Sequence, residues 1–427
     1  MILTTLGTAI LLVMGSYLFL TVVLSMIRPR AGAHEVTPLR VVFLIPALNE
    51  AKVIRNTVDS LLAVQSDFSR ILVIDDGSED ETADIVRTYP SDRVMLLRRV
   101  LPEARMGKGR ALNHAFQVVR DQALAAGIDP RTVLLCIVDG DGRLRPDVMK
   151  TIEPCFADPA VGAVQIQVRI FNRALGWLPR FQDYEFLTFS SLTQRARQHI
   201  GSVGLGGNGQ FTRLAALMDL GDEPWSECLT EDLDLGLRLA MRGWRNSFTS
   251  KTEVSQQGLD DVGRIVRQRT RWMQGHMQCW RHVPALIRSD LPTVTVLDLL
   301  WYLAAPITTL VVSIVFGIPA FFVLWSVVSV LFNHVSLSAI AVWLVPMYLL
   351  SFGPSLIFFG VYWRQARDIS APKAFVMAHV LTIYNYIWYL ATWKALGRLI
   401  SRRNGWTKTV RLTDESVVAP VAAGQIT

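Results

Sequence analysis

The stretch Val133-Leu134-Leu135-Cys136-Ile137-Val138-Asp139-Gly140-Asp141-Gly142 constrains the fold more than any other. Six consecutive apolar residues, several of them β-branched, predict a strand buried on both faces of a parallel sheet. The run stops abruptly at Asp-Gly-Asp-Gly, placing two carboxylates at the strand's carboxyl end, the edge where open α/β sheets bind ligands. On an extended chain, Asp139 and Asp141 at i and i+2 project to one side, close enough to share a divalent cation. Hard oxygen donors suit Mg²⁺ or Mn²⁺ carrying a diphosphate.

The rest of the chain is segregated by polarity. Over 427 residues it is 51% hydrophobic and 19% charged, with mean hydropathy +0.31, more apolar than an ordinary soluble enzyme. Residues 2–27 and most of 295–396 are long apolar runs, whereas 38–290 has soluble composition. The sequence therefore predicts a membrane protein with one large water-soluble domain between membrane segments. Ile2–Ile27 is long enough to span a bilayer and lacks the marks of a cleaved signal peptide. Arg28, Arg30 and Arg40 follow it, which puts its C-terminal end and the soluble domain on the cytosolic side. The net charge of +7 fits a membrane surface; no basic-aromatic platform for nucleic acid is present. Cys136, Cys155, Cys228 and Cys279 show no CxxC spacing and are expected to be reduced thiols.

Within the soluble part, strands over 39–46, 71–74, 94–97 and 133–138 alternate with helical patterns, predicting β-α-β-α-β-α-β in a doubly wound parallel sheet. Each strand ends in a polar cluster, so Asp76, Lys108, Asp139 and Asp141 should converge on one crevice. No GxGxxG follows the first strand and no Walker A sequence occurs, which disfavours NAD, FAD and P-loop chemistry. Further on, a strand over 161–169 and a helix over 184–200 precede the glycine-rich loop Gly204–Gly209, where backbone can approach a ligand closely. Thr230 is placed to cap a helix carrying Glu231 and Asp232 in its first turn. Residues 266–275 predict a basic, aromatic, amphipathic helix lying at the membrane interface.

Taken in order, Pro46-Ala47-Leu48-Asn49-Glu50, Asp75-Asp76-Gly77-Ser78, Gly107-Lys108-Gly109, Asp139-Gly140-Asp141, Thr230-Glu231-Asp232 and Gln268-Arg269-Thr270-Arg271-Trp272 resemble the inverting family 2 glycosyltransferases. More narrowly they are similar to the membrane-embedded processive synthases of cellulose, chitin, hyaluronan and poly-N-acetylglucosamine. The resemblance covers about 38–280. It implies an α/β fold, a GT-A nucleotide-sugar-binding domain inserted between transmembrane helices.

It also implies roles. Asp76, with Pro46 and Glu50, would take the uracil and ribose of a UDP-sugar, and Lys108 its diphosphate. Asp139 and Asp141 would hold nucleotide and metal, Mg²⁺ or Mn²⁺. Asp232 would be the general base, set in Thr230-Glu231-Asp232. Arg271 would stabilise the leaving group, Gln268 and Trp272 would meet the acceptor end, and the loop with Gly207 and Asn208 would lie on the acceptor side. That loop reads GGNGQF, which departs from the cysteine-containing form in cellulose synthases.

The organisation expected is an N-terminal membrane helix (1–30), a cytosolic transferase domain (38–262), interface helices (263–294), channel-forming membrane helices (295–400) and a cytosolic tail (401–427). In the tail Trp406 and Arg411 resemble a gating segment that closes over bound nucleotide. The function expected is processive polymerisation of a UDP-sugar, of the UDP-GlcNAc or UDP-glucose type. Its product is an extracellular polysaccharide, which the multi-pass plasma-membrane enzyme passes across the bilayer, with room for a small accessory membrane subunit. The alternative inside the class is a non-processive transferase acting on a lipid acceptor. A transport or assembly subunit without catalysis is disfavoured by the joint presence of Asp139, Asp141 and Asp232.

Overall fold

The computed structural model of the chain describes residues 2–27, 36–315, 352–353 and 355–403. Its centre is one eight-stranded sheet: β1 (Arg40–Ala47), β2 (Ser69–Asp75), β3 (Val94–Arg98), β4 (Val133–Ile137), β5 (Arg143–Leu144), β6 (Val161–Ile170), β7 (Gln210–Arg213) and β8 (Arg245–Gln256). The strand order is β3-β2-β1-β4-β7-β6-β8-β5. The four strands β3-β2-β1-β4 are parallel, as the sequence predicts. Beyond them β7 pairs antiparallel with both β4 and β6, so the second half of the sheet is mixed. The reversal puts β7, the strand that follows the glycine-rich loop, beside β4, and the loop's Gly209 N–H donates to Ile137 O at 2.9 Å.

β4 is apolar throughout because both of its faces are covered. Leu134, Cys136 and Val138 join a core with α2 (Ile54–Leu62), α3 (Thr82–Arg87) and α5 (Val148–Cys155). Leu135 and Ile137 join another with α4 (Lys108–Ala125), α8 (Leu214–Met218) and α9 (Glu231–Met241). The period-two alternation of a strand splits one apolar run between two cores.

A helical layer lies against this domain. α6 (Trp177–Glu185) and α7 (Ser191–Ile200) are joined through a π-helical turn over Phe186–Ser190. The amphipathic helix expected over 266–275 is α10 (Val262–Gln278). Helices over 293–303 and 305–314 are bent by 50° at their junction near Ala304, as in a broken span or a re-entrant loop. Among the described residues one helix, Ala371–Ile400, is long and apolar enough to cross a membrane, and that bent pair qualifies if taken as one span. α1 (Ile2–Met26) carries no charged residue and is fastened to the layer by Tyr17, whose hydroxyl donates to Asp298 at 2.9 Å. Residues 316–351, in the middle of the expected membrane block, lie outside the described residues.

Candidate active site

The Asp-Gly-Asp-Gly segment is a turn, not the extended strand end expected from sequence: Gly142 N–H donates to Asp139 O at 2.7 Å. The two carboxylates consequently have different partners. Asp139 accepts from the Lys108 ammonium at 2.8 Å, while buried Asp141 accepts the Gln257 N–H at 2.9 Å. Space dictates the two glycines. A Cβ on Gly140 would lie 2.8 Å from Glu50 Cγ, and one on Gly142 would lie 2.6 Å from Val138 Cγ1. Glu50, from the loop after β1, thus packs directly over the turn, and Thr57 donates to Gly140 O at 2.7 Å. Asn208 is spent on the same turn, its Oδ1 accepting Asp139 N–H at 3.1 Å and its amide donating to Gln256 at 2.8 Å.

Lys108 opens α4 behind Gly107, whose φ of +103° few other residues adopt. Its ammonium lies 2.8 Å from Asp139 and 3.4 Å from Glu231. Burial works against the charge on Lys108, but Asp139 and Glu231 outweigh it and raise the pKa, so the lysine is a fixed cation. The helix is drawn close by Gly109, where a Cβ would stand 2.3 Å from Ser226 O, and by paired hydrogen bonds between Asn113 and Trp225.

Glu231 and Asp232 occupy the first turn of α9, as expected. Thr230 does stand at the cap position, yet its hydroxyl makes no capping bond, contrary to the sequence reading. The hydroxyl faces two thiols instead, 3.6 Å from Cys228 Sγ and 3.9 Å from Cys279 Sγ, because α10 presses against it at Gly275. The cysteines are free thiols, with Cys228 and Cys279 sulfurs 3.7 Å apart. Burial and the neighbouring Glu231 charge push Asp232 up to about 7, against the opposing pull of Lys108 and Arg271. A carboxyl held there is suited to exchange a proton near neutral pH.

At the end of β2, Asp76 pairs with Arg99, and its carboxyl stays above the usual range because burial outweighs that partner. Pro46 lies in β1 beside Ile74. On α10, Arg271 and Trp272 are half-buried, as is Gln268. The Trp272 ring centre is 6.2 Å from Trp388 and 6.3 Å from Phe186, and Arg269 lies 3.9 Å over the Trp272 ring. The tail residues Trp406 and Arg411 lie outside the described residues.

Sequence reasoning missed Arg99, Gln257, Glu185 and Gly275. Arg99 and Glu185 sit in no motif, and Gln257 acts through its backbone, which no side-chain pattern reveals. Gly275 could have been suspected, since glycine inside a helix is costly unless something needs the room.

A mixed α/β sheet with a charged lysine and an aspartate of raised pKa gathered at the ends of β4 and α9 is the arrangement of a nucleotide-sugar transferase with a GT-A-like fold. Residues 38–275 match the family described as Glycosyltransferase like family 2, and the chain belongs to that family. It is 28% identical to a beta-monoglucosyldiacylglycerol synthase of Synechocystis, over 57% of this chain and 50% of that protein. It is also 28% identical to the poly-beta-1,6-N-acetyl-D-glucosamine synthase of Staphylococcus aureus, over 55% of this chain and 54% of that protein. The chain thus spans about half the length of the curated relatives it matches. A mannosyltransferase from Pyrobaculum calidifontis, solved with GDP-Man and Mn2+, shares the fold with a TM-score of 0.56 at 18% identity, covering 94% of this chain and 97% of the other.

Proposed function

We propose that the chain transfers a hexosyl group from a UDP-sugar to an acceptor hydroxyl with inversion, and that it does so repeatedly, building a polysaccharide at the membrane. The observation that carries the reading is the position of Lys108, 2.8 Å from Asp139 and 3.4 Å from Glu231, with Asp232 beside them. A half-buried cation there is an anchor for a diphosphate, and an aspartate of pKa about 7 next to it is a base for the attacking hydroxyl.

In this reading Asp76, Glu50 and Pro46 orient the nucleoside. The acceptor oxygen forms a bond to the anomeric carbon as the bond from that carbon to the diphosphate breaks. Its proton passes to Asp232, and UDP departs with the bonding electron pair. Lys108 and Arg271 face the charge that builds on the diphosphate. Asp139 and Asp141 offer the hard oxygen donors a divalent cation prefers, and a Mg²⁺- or Mn²⁺-type site needs only one or two carboxylates when substrate phosphates complete it. Such an ion, when bound, supplies charge neutralisation at the diphosphate. The Pyrobaculum neighbour's Mn2+ is consistent with that assignment.

Membrane embedding is supported by Ala371–Ile400 and by the apolar side chains it leaves outside, among them Phe375, Ile383 and Leu390. Processive synthesis is supported by the similarity to the poly-N-acetylglucosamine synthase and by the cluster of Trp272, Trp388 and Phe186, aromatic surface of the kind sugars stack on. A second reading, single transfer to a lipid, is favoured by the similarity to the glucosyldiacylglycerol synthases.

The test is incubation of detergent-purified protein with Mg²⁺ or Mn²⁺ and a panel of radiolabelled UDP-sugars, with and without diacylglycerol, and sizing of the products. Polymer of high molecular weight from one donor is the expected result. Label confined to an organic-extractable product establishes the lipid acceptor instead. Silence with every UDP-sugar removes the donor assignment.

A further inference from the structure

Four of the six residues Gly204–Gly209 are glycine, so fixing this loop in one conformation costs more backbone entropy than fixing an ordinary one. Gly207 and Gly209 have φ of +76° and +69°, which turns the chain out of strand geometry, and β7 begins only at Gln210. A regular ladder therefore cannot hold the whole loop, and its backbone polar groups need other partners.

Two glutamines supply them. Gln165, on β6 opposite Gln210, accepts the Gly206 N–H at 2.9 Å and donates to Asn208 O at 2.8 Å. One side chain thus holds the backbone on either side of Gly207. Gln194, on α7, accepts the Gly204 N–H at 3.0 Å and donates to Gly204 O at 2.6 Å, the pair of bonds that a residue of a neighbouring strand would exchange.

The elements that carry these glutamines do not require them. Gln165 is 3% exposed in a strand buried almost throughout, where valine or isoleucine would serve the sheet without taking an amide out of water. Gln194 comes from the helical layer, so the loop is fastened to the sheet and to the helices at once. A Cβ on Gly207 would fall within 4 Å of both the Asp232 carboxylate and the Lys108 ammonium. Gly207 has no side chain by which to be held there, so its place depends on the bonds made by its neighbours.

We propose that Gln165 and Gln194 are positioning residues of the transfer reaction, holding Gly207 against Asp232 and Lys108 although neither glutamine hydrogen-bonds to those two groups. The catalytic part of this statement rests on the function proposed above; the clamp on the loop rests on its four hydrogen bonds alone.

Gln165→Met and Gln194→Met each keep the side chain's length and remove one pair of bonds. Hydrogen–deuterium exchange of the full chain in detergent, read by mass spectrometry on a fragment spanning residues 203–211, reports the clamp without any substrate. Exchange at Gly206 in the first variant and at Gly204 in the second should quicken at least about tenfold, the equivalent of one lost hydrogen bond. Gln182→Met removes an equally buried amide that holds Leu259 by the same kind of pair, at 2.7 and 3.1 Å, and should leave exchange over 203–211 unchanged. In the transfer assay kcat should fall at least about tenfold in both clamp variants. The KM for the donor should change little, because Lys108 stands on α4 and Asn208 keeps its bond to Gln256. Gln194 is half-buried, so its variant carries the test alone if Gln165→Met does not fold. Quicker exchange with a wild-type kcat overturns the positioning role, and wild-type exchange in both variants overturns the clamp. A wild-type chain that transfers from no UDP-sugar removes the proposed function and the catalytic role with it, while the exchange measurement still decides whether the glutamines hold the loop.

Discussion

Asp232 Oδ2 lies 3.1 Å from the point where a Cβ on Gly207 would stand, and the Lys108 ammonium lies 3.6 Å from it. The glycine-rich loop is therefore pressed against the proposed base and the proposed diphosphate anchor at once. Gly207 also has φ of +76°, which a side chain resists at a cost of about 1–2 kcal/mol. In Gly207→Ala the Asp232 carboxylate must turn or the loop must retreat, and the adjacent Asn208 would carry Asp139 with it. Transfer should fall at least about 100-fold, the scale expected when reacting groups are misplaced by about an ångström. The melting temperature should drop only a few degrees. Initial rates and a thermal melt on the same preparation check this; a wild-type rate would take Gly207 out of the site.

The raised pKa of Asp232 makes a signed prediction. A general base works unprotonated, so kcat/KM should climb about tenfold per pH unit below 7 and level off above it. For stability the sign is opposite. A carboxyl whose pKa is higher folded than unfolded stabilises the fold while protonated, and that contribution is lost as pH rises through about 7. Asp232→Asn should thus abolish transfer, leave UDP binding near normal, and melt above wild type at pH above 7. UDP titration calorimetry and melts across pH separate these effects; unchanged turnover would remove Asp232 from its role.

The parallel half of the sheet was legible because β1, β2 and β4 are buried on both faces, and burial writes itself as unbroken apolar runs ending in polar clusters. Of the mixed half only β6 was, expected over 161–169 and found over Val161–Ile170; β7 has four residues, Gln210–Arg213, and β8 reads as alternating polar sequence, so neither carries a strong periodic signal. The crevice residues were legible as motifs, but their partners were not. Asp139 and Asp141 are two positions apart, and only the turn at Gly142 sends one to Lys108 and the other to a backbone N–H. Thr230 shows the opposite failure. A threonine followed by two acidic first-turn residues is a favoured helix start, and a long-range contact with α10 turns the hydroxyl to other partners.

Arg269 is fully buried beneath Trp272, and its ion pair with Glu185 measures 2.8 Å. Burial raises the Glu185 pKa, and the guanidinium charge is the main opposing influence. Arg269→Met would leave that carboxylate without its cation, and breaking such a pair costs about 3–5 kcal/mol. Adding Glu185→Leu should restore most of the lost stability, since a buried pair replaced by apolar side chains is often neutral. Transfer should not recover with it if the guanidinium is what holds the Trp272 ring. Denaturant midpoints for the two single variants and the double variant, each with a transfer assay, distinguish packing from positioning.

Gly275 makes the closest link between α10 and the start of α9. A Cβ there would lie 2.6 Å from Thr230 N and 2.7 Å from both Thr230 Oγ1 and Cγ2. Backbone cannot yield as a flexible side chain would, so Gly275→Ala must separate the two helices or shift residues 230–232. The substitution favours the helix itself by about 1 kcal/mol, because alanine is the better helix former. That gain and the clash oppose one another in stability, leaving a small net change in the melting temperature. Catalysis has no such compensation, since Asp232 moves with Thr230 while Lys108 and Asp139, held by β4 and α4, stay in place. Gly275→Ala should therefore lower kcat at least about tenfold while the KM for the donor changes little, the pattern of a displaced base beside an intact donor site. An equal loss in donor affinity would mean that α10 reaches the diphosphate anchor as well, and an unchanged kcat would show that the helices separate without carrying Asp232.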